Sequence, residues 1–420
     1  MSGLIGKVRT VQQNVKVAVL GSGISGSIAA NFLNRNSNID CSVFEVGRGV
    51  GGRTSTRRMK HEQCNLVFDH GCQYISPSTA EFTSLLESWP FVKKWNANIY
   101  THSNSNLNKS LEDKNKDIYV GYPHMNSIVK GLLEGIEVNT ESRANAAFNQ
   151  ESKKWILTKD KTNEALGEYD WLIVTDQLSA QKYRQDIGDA GGDGDYNNMN
   201  KNTNYKTQEI VGDYRQVMQK IGNMSSLVLM VAFEKRLKFD NNNVDADVDG
   251  IRFNSHGVLG WAVREQSKPG RERDDAVECW TIQSTPEAAA DLIQKIDKRG
   301  MNFEDARAAT RVEAHDMLMN SFKQVLVQLG VDIPSVVVSS GHRWAAGFPL
   351  TNSQSLGERC YINIEGQFAA CGDTFAQQEE IGKVEAAALS GKSAAEAVIL
   401  AIQNQVSSEL KSESELPSEL

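Results

Sequence analysis

The sequence has few of the features that define several large protein classes. Among 420 residues it holds 8 prolines and 33 glycines, which excludes collagen-like and largely disordered chains. Its 6 cysteines include no Cys-x-x-Cys pair, so we expect reduced thiols, with the cytoplasm as the default compartment. The longest apolar run, residues 227–233, is about a third of a membrane-spanning helix, and no membrane span is predicted.

Basic residues are fewer than acidic ones. Lys and Arg number 45 against 53 Asp and Glu, giving a formal net charge of −8. Binding to nucleic acid needs a basic face, so we expect no nucleic-acid partner. The length exceeds what one hydrophobic core usually holds, which predicts two domains or one elaborate α/β domain.

After a polar leader the chain opens with a predicted β-α-β unit. Residues 15–20 form a short, β-branched apolar run that is typical of a buried parallel strand. Residues 27–33 have helical spacing, and residues 41–45 form a second strand that ends in Glu45. Six residues join the first strand to the helix: Gly21, Ser22, Gly23, Ile24, Ser25 and Gly26.

In this context the Gly-x-Gly-x-x-Gly spacing predicts a dinucleotide site. Gly21 permits a tight turn, Gly23 leaves room for a pyrophosphate, and Gly26 lets the helix approach the strand. The helix N-terminus offers amides and a positive dipole end to phosphate, while Glu45 can accept hydrogen bonds from a ribose diol. We therefore predict that the six residues and Glu45 bind a cofactor. A glycine-rich turn without a ligand is the alternative.

The segment after Glu45 favours FAD over a nicotinamide cofactor. Residues 47–54 combine a glycine run, which includes Gly52, with the cation of Arg53. An additional arginine beside a pyrophosphate suits a ligand larger and more deeply set than NAD. On charge alone, a solvated basic loop stays an equal alternative.

Further along, the pattern predicts alternating strands and helices. Residues 186–204 are rich in Gly, Asp and Asn and predict a flexible insertion. Strands are predicted over 155–158, 171–174, 226–233, 277–282, 335–338 and 367–371. Helices are predicted over 125–133, 310–329 and 382–404, followed by a disordered tail at 405–420.

Six segments, taken in order, resemble the renalase-like FAD-dependent oxidoreductases of the glutathione-reductase-like, flavin amine oxidase superfamily. They are residues 51–53 (GGR), 68–74 (FDHGCQY), 121–125 (GYPHM), 267–271 (SKPGR), 342–344 (HRW) and 370–373 (ACGD), the last followed by 384–391. The chain departs from the family at Ala345 and Ala346, where relatives carry larger or basic residues. This departure bears on the substrate.

The resemblance implies a two-domain α/β flavoprotein, with a parallel-sheet Rossmann-type FAD domain and a mixed α+β substrate domain. The FAD domain would comprise residues 15–120 and 336–404, and the substrate domain residues 121–335, with approximate boundaries and interleaved segments. The implied FAD-binding residues are Gly52, Arg53, Gly71, Cys72, Gln73, Gly372, Asp373 and Glu385.

For the reacting site, the resemblance implies roles for Lys268 and Trp344. Lys268 would hold a water against flavin N5, whereas the alternative is a solvated turn lysine. Trp344 would wall the flavin pocket, whereas the alternative is a core aromatic. We interpret His124 and His342 as structural, hydrogen-bonding histidines, and the alternative is that they are polar groups of the pocket. We expect no metal, because residues 61, 64, 70 and 72 fit the spacing of zinc ligands poorly.

The expected activity is an oxidase that takes a hydride from a small dihydronicotinamide-type or amine substrate to flavin. Electrons would pass to O2 and form H2O2. Three alternatives stay open: a flavin amine oxidase proper, a quinone-linked dehydrogenase or desaturase, and a non-catalytic FAD- or NAD-binding module.

Overall fold

The structure, a computed structural model, describes residues 14–62, 64–103, 106–109, 117–175, 207–241 and 244–414. Its strands, in chain order, are β1 (Val15–Leu20), β2 (Ile39–Phe44), β3 (Arg57–His61), β4 (Cys64–Phe68), β5 (Val92–Lys94), β6 (Ile99–Ser103), β7 (Asn106–Lys109), β8 (Tyr119–Gly121), β9 (Glu137–Asn139), β10 (Ala144–Asn149), β11 (Lys154–Lys159), β12 (Ala165–Tyr169), β13 (Trp171–Val174), β14 (Asn223–Phe233), β15 (Phe239–Asn241), β16 (Val244–Ala246), β17 (Gly250–Phe253), β18 (Leu259–Arg264), β19 (Glu278–Ser284), β20 (Val336–Pro349), β21 (Tyr361–Asn363) and β22 (Phe368–Ala370).

Seven α-helices lie in the described part of the chain. They are α1 (Ile24–Leu33), α2 (Ala80–Glu87), α3 (Ser127–Leu132), α4 (Thr207–Met218), α5 (Pro286–Asp297), α6 (Phe303–Gln328) and α7 (Val384–Ser414). Among these helices, none combines the length and the apolarity needed to cross a membrane.

A six-stranded sheet with the order β21-β22-β13-β1-β2-β9 forms one half of the molecule. Its neighbours pair in parallel, apart from β21, which runs antiparallel to β22. Residues 17–20 of β1 are buried, as expected for a strand covered on both faces. The predicted α/β fold with a parallel Rossmann-type sheet is confirmed.

Helices and a small sheet cover the two faces of this sheet. On one face, α1 and α7 pack side chains such as Ala29 and Val398 against Val17 and Val19 of β1. On the other face lie α4 and the antiparallel sheet β10-β11-β12. The helices α1 and α7 approach each other closely at Gly391, where a Cβ atom would lie 2.2 Å from the Ser25 carbonyl oxygen.

A seven-stranded sheet with the order β20-β14-β19-β18-β17-β6-β7 forms the other half. Its neighbours are antiparallel except for the parallel pair β17 and β6. Helices α5 and α6 pack on one face around Trp280 and Phe322. The hairpin β3–β4 packs on the other face, where Leu66 and Phe68 meet Met230.

The strand pairing crosses the predicted domain limits in three places. β9 and β13 belong to the parallel sheet although they lie within residues 121–335. The mixed sheet includes β6 and β7, which lie within residues 15–120, and β20, which lies within residues 336–404. Non-local pairing decides sheet membership, and no local pattern encodes it. The division into domains stays a prediction.

The C-terminal helix is longer than its local composition predicts. The predicted tail begins at residue 405, but α7 continues through Ser414. Residues 405–414 include strong helix formers such as Leu410 and Lys411, which favour continuation of the helix. Residues 415–420 and the predicted insertion at 186–204 lie outside the described residues.

Candidate functional site

A cavity of about 510 Å³ opens at the carboxyl edge of the parallel sheet, between that sheet and β20. Such an edge is where ligands bind in open α/β sheets. Eleven of the predicted site residues line it: Gly21, Ser22, Gly23, Ile24, Ser25, Glu45, Gly52, Arg53, Gly372, Asp373 and Trp344. Residues that are far apart in the sequence therefore meet at one cavity.

The glycines of the turn after β1 have different surroundings. Gly21 has φ +102°, and a Cβ there would lie 2.5 Å from Thr175 Oγ1. A Cβ at Gly26 would lie 2.0 Å from the Gly21 carbonyl oxygen, so this glycine serves the packing of α1 on the turn and does not line the cavity. At Gly23, in contrast, a Cβ would meet no atom of the described residues within 4 Å. The protein itself leaves this space open.

The N-terminus of α1 faces the same cavity. Gly23 is the N-cap, no side chain caps the helix, and its first turn holds no acidic residue. The free amides and the positive end of the helix dipole are therefore available to an anion.

Glu45 follows β2 and lines the cavity beside the turn. Its carboxylate accepts hydrogen bonds from the amide of Ser22, at 3.0 Å, and from the amide of Gly47, at 2.6 Å. The hydroxyl of Ser22 also donates to it. These bonds fix the carboxylate beside the turn, and a carboxylate has further lone pairs with which to accept from a ligand hydroxyl.

Arg53 and Asp373 connect the two distant parts of the cavity wall. The guanidinium donates two hydrogen bonds to the carboxylate, with N···O distances of 2.6 and 2.7 Å, and Nη1 also donates to the Gly347 carbonyl at 3.2 Å. Bidentate pairs of this kind fix both groups in orientation. Gly372, with φ +150°, sets the turn that precedes Asp373, and its amide donates to Ser390 Oγ.

Five predicted residues, Glu385, Gly71, Cys72, Gln73 and Lys268, do not line the cavity, in addition to Gly26. The carboxylate of Glu385 accepts hydrogen bonds from the amides of Ser78 and Thr79, at 2.7 and 3.0 Å, and from both hydroxyls. Its position supports the loop before α2 and does not support the predicted cofactor contact.

Residues 71–73 lie directly behind the cavity wall. Cys72 donates its amide to the Arg53 carbonyl at 2.8 Å, and a Cβ at Gly71 would lie 3.3 Å from the Trp344 ring. Burial raises the pKa of the Cys72 thiol to about 12, so it stays protonated at neutral pH. The segment therefore buttresses two residues that line the cavity.

Four ionised side chains form a buried ionic cluster beneath this segment: Asp69, Glu265, Lys268 and Arg271. Each of these side chains is at most 4% exposed. Arg271 pairs with both carboxylates, and Lys268 Nζ lies 3.3 Å from Asp69 and 3.1 Å from Glu265. Two cations thus balance two anions in a region without solvent.

The position of Lys268 overturns one of the two sequence-based interpretations of this residue. It is fully buried, so the solvated turn lysine is wrong. Its third contact is Gln73 Oε1, at 3.3 Å, and an ammonium group has three hydrogens to donate. The ammonium thus lies between Asp69, Glu265 and Gln73, and its predicted contact with a water at the flavin stays a prediction. Its position favours a role in holding Gln73.

Trp344 lines the cavity in a cluster of three rings. Its ring centroid lies 5.0 Å from that of His70 and 4.9 Å from that of His342, and its indole nitrogen donates to the His70 carbonyl at 2.8 Å. Burial, reinforced by neighbouring positive charges, lowers the pKa of His70 to about 4 and that of His342 to about 3. Both imidazoles are therefore neutral at pH 7.

Several lining residues were not predicted from the sequence. Two of them, Ser142 and Arg143, lie in the connection between β9 and β10, and Thr175 directly follows β13. Two others are Arg307 on α6 and Arg343 on β20. The position of Thr175, directly after the predicted strand 171–174, carried a sequence signal. In the described part of the chain, no group of three or more His, Cys, Asp and Glu side chains has an arrangement that could hold a metal.

Comparisons with known proteins agree with this architecture. A family model described as an NAD(P)-binding Rossmann-like domain matches residues 19–89. A tryptophan 2-monooxygenase of Allorhizobium ampelinum (strain ATCC BAA-846 / DSM 112012 / S4) is 49% identical over 47 residues, which are 11% of this chain and only 6% of that enzyme.

Solved structures resemble the whole fold at low sequence identity. A protein of Exiguobacterium sp. 255-15 that carries the name protoporphyrinogen oxidase has a TM-score of 0.58 and 11% identity, covering 92% of this chain and 99% of that one. A double variant of putrescine oxidase with redesigned cofactor binding has a TM-score of 0.56 and 12% identity, covering 92% and 100%. This chain therefore contains a segment similar to NAD(P)-binding Rossmann-like domains, within a fold similar to those of these two proteins.

Proposed function

We propose that the protein is an FAD-dependent oxidoreductase that takes a hydride from a small dihydronicotinamide-type or amine substrate and uses O2 as electron acceptor. The observation that carries the proposal is the convergence on one cavity of the glycine turn at Gly23, the carboxylate of Glu45 and the Arg53–Asp373 pair. A dinucleotide requires these elements together: amides for phosphate, an acid for ribose, and a second anchoring point.

The described residues fit FAD in a specific way. A Cβ at Gly23 would meet no atom of the described residues within 4 Å, and the N-terminus of α1, which no side chain caps, faces this space. We infer that the pyrophosphate would bind there and that Glu45 would hold the adenosine ribose. Asp373 and Arg53, contributed by opposite ends of the chain, would hold the part of the cofactor that lies toward the flavin.

The far wall of the cavity suits a flat ring better than a second ribose. It contains the indole of Trp344 and the neutral imidazole of His342. Aromatic walls bind planar rings by stacking. When bound, the isoalloxazine would supply the redox chemistry, accepting a hydride and passing two electrons to O2 with formation of H2O2.

The protein's own contribution would be orientation and exclusion of water. The Arg53 carbonyl anchors the Cys72 amide, and Lys268 holds Gln73 from the buried side. In this arrangement Lys268 is a positioning residue that acts through Gln73. The buried ionic cluster beneath it keeps this wall rigid, since each of its charges is paired.

Two sources support the two substrate classes. The resemblance of residues 68–74, 267–271 and 342–344 to renalase-like flavoproteins supports a dihydronicotinamide. The names of the similar proteins, a putrescine oxidase and a tryptophan 2-monooxygenase, support an amine.

The decisive experiment is an absorption spectrum of the purified protein before and after incubation with FAD, followed by anaerobic titration with dihydronicotinamide isomers and an amine panel. We expect a bound flavin spectrum and bleaching by one of the two classes, with about one H2O2 released per substrate oxidised in air. A protein that stays colourless with excess FAD would contradict the cofactor. Bleaching with little peroxide would assign the electrons to an acceptor other than O2.

A further inference from the structure

The wall of the cavity formed by β20 and α6 carries a group of arginines that the proposed cofactor site does not use. A Cβ at Gly341 would lie 2.1 Å from the Arg311 carbonyl oxygen, and His315 Nε2 lies 2.8 Å from Ser339 Oγ. Helix α6 therefore runs antiparallel to β20, with one helical turn for every two strand residues.

This register places Arg307, one turn before Arg311, beside Arg343. Both of these residues line the cavity next to His342. Arg57, on β3, lies close enough to act electrostatically on both His342 and Arg311. We call Arg57, Arg307, Arg311 and Arg343 the arginine cluster.

The arginine cluster lacks the close acidic partners that several other arginines in the described part of the chain have. Arg53, Arg271 and Arg299 each form ion pairs with carboxylates. For the four members of the cluster, no carboxylate within 4.0 Å is found in the described part of the chain, although Asp297 acts electrostatically on Arg343 from a longer distance. The buried Nε of Arg343 has no hydrogen-bond acceptor among the described residues.

Positive charges held together with few counter-charges destabilise a folded protein through mutual repulsion. Arg307 and Arg311 lie four residues apart on one helix, a spacing at which like charges repel. The charges of Arg57, Arg311 and Arg307 also act together on His342, whose buried Nδ1 has no partner within the described residues. An anion bound among these groups would remove the repulsion and supply the missing acceptors.

We propose that the arginine cluster and His342 form a subsite for an anionic group of the substrate, a phosphate or a carboxylate, at the side of the cavity where β20 and α6 meet. This proposal rests on the proposed function, since it assigns a substrate class to the same cavity. It favours phosphate-bearing dihydronicotinamides and amino acids over their uncharged or cationic analogues. Diamines, which carry two positive charges, are repelled.

Equilibrium binding to the FAD-loaded protein tests the subsite without requiring turnover. Two ligand pairs differ only in the anion: nicotinamide mononucleotide against nicotinamide riboside, and L-tryptophan against tryptamine. Isothermal titration should show that the anionic member of one pair binds about tenfold or more tightly, because charge-assisted hydrogen bonds are lost in its analogue. The pair that shows the preference identifies phosphate or carboxylate as the group bound.

Variants then assign the preference to the cluster. Arg307→Gln should weaken binding of the anionic ligand about tenfold and leave its analogue unchanged, and Arg307→Gln with Arg343→Gln should abolish the preference. Arg307→Lys keeps the charge and should retain most of it. Arg58→Gln is the matched control, because Arg58 is exposed on the same strand as Arg57 and does not line the cavity.

Two results would overturn the subsite. One is a preference for the anionic ligand that is equal in the Arg307→Gln variant and the wild type, or that is absent for both ligand pairs. The other is a loss of FAD from the Arg307→Gln variant, which would assign the arginine to the cofactor. A flavin that no reductant bleaches would contradict the proposed function but leave the binding measurement valid, so the two failures are distinguishable. Arg307 is exposed, so the single variant is expected to fold.

Discussion

Replacement of Lys268 by methionine tests whether the buried ionic cluster is a unit. The lysine side chain is 0% exposed, and its ammonium contacts Asp69 and Glu265 at 3.3 and 3.1 Å. Methionine fills a similar volume but carries no charge. The variant therefore leaves two buried carboxylates with Arg271 as their single cationic partner in the cluster.

The expected loss of stability is large. Removing one partner of a buried ion pair typically costs about 3 to 5 kcal/mol in the free energy of unfolding, because the remaining charge is neither solvated nor paired. Burial alone would raise the pKa of Asp69, but the charges of Arg271 and Lys268 lower it from 3.8 to about 2. This lowering contributes about 2 kcal/mol above pH 4, which is lost as the pH falls toward 2.

Without Lys268 the pKa of Asp69 should rise, so the destabilisation of the variant should be largest at neutral pH, be smaller at pH 4, and vanish only as the pH falls toward the wild-type pKa of about 2. Urea unfolding followed by circular dichroism at pH 7 and pH 4 measures this difference. Lys60→Met, at an exposed position on β3, is the matched control and should change the free energy of unfolding by less than about 0.5 kcal/mol.

A second substitution separates charge balance from packing. Glu265→Gln combined with Lys268→Met leaves Asp69 paired with Arg271, so the double variant should recover part of the lost stability. If the two substitutions simply add, or if Lys268→Met unfolds at the same urea concentration as Lys60→Met, the electrostatic reasoning is refuted.

Three further predictions concern the cavity and its wall. Gly23→Val should keep the fold, since a Cβ there meets no atom of the described residues within 4 Å, but it should abolish FAD binding in a fluorescence titration. Gly26→Ala, in contrast, should lower the melting temperature because its Cβ meets the Gly21 carbonyl at 2.0 Å. Asp373→Asn should weaken FAD binding about tenfold, since the bidentate pair with Arg53 is broken. Asp117→Asn, at an exposed position, is the control. Equal FAD dissociation constants for the two variants would contradict a role of Asp373 in FAD binding. Burial lowers the pKa of His70 from 6.5 to about 4, so between these pH values the unfolded chain binds a proton that the folded protein does not. The free energy of unfolding should therefore rise with pH in this range. Replacement His70→Asn should reduce that slope by about 1.4 kcal/mol per pH unit, as urea titrations from pH 4.5 to 7 would show.

Local sequence patterns predicted the first β-α-β unit closely. The predicted strand at residues 15–20 coincides with β1, because an apolar run bounded by a polar leader and Gly21 has few other interpretations. The helix begins at Ile24, three residues before the predicted start at Ser27, because Gly23 serves as its N-cap. Boundaries that depend on capping are thus less accurate than the elements themselves.

The long strand β20 shows where local patterns fail. The predicted strand ended at residue 338, because residues 339–347 are mainly small or polar and include two glycines. The strand nevertheless continues to Pro349, since it pairs with β14 along its length. Tertiary pairing therefore overrides the weak β propensity of this segment, and it positions Trp344 at the cavity.

The candidate site was predictable to the extent that its residues follow strands or form glycine turns. Gly23, Glu45 and Asp373 satisfy this condition, and all three line the cavity. The distant partners of Lys268 could not be predicted, because Asp69 precedes it by 199 residues in the sequence. The arginines on α6 were likewise missed, since an exposed helical arginine has no local signature of its surroundings.

The interleaving of the sheets has a consequence for biosynthesis. The parallel sheet joins β1 and β2 near the N-terminus to β22, which ends at Ala370. A ribosome delivers residues in order, so β1 and β13 emerge long before the strand that completes their edge and before Asp373. During translation the half-built sheet exposes the unpaired edge of β13, and this interval is when a nascent chain of this protein most needs protection by chaperones.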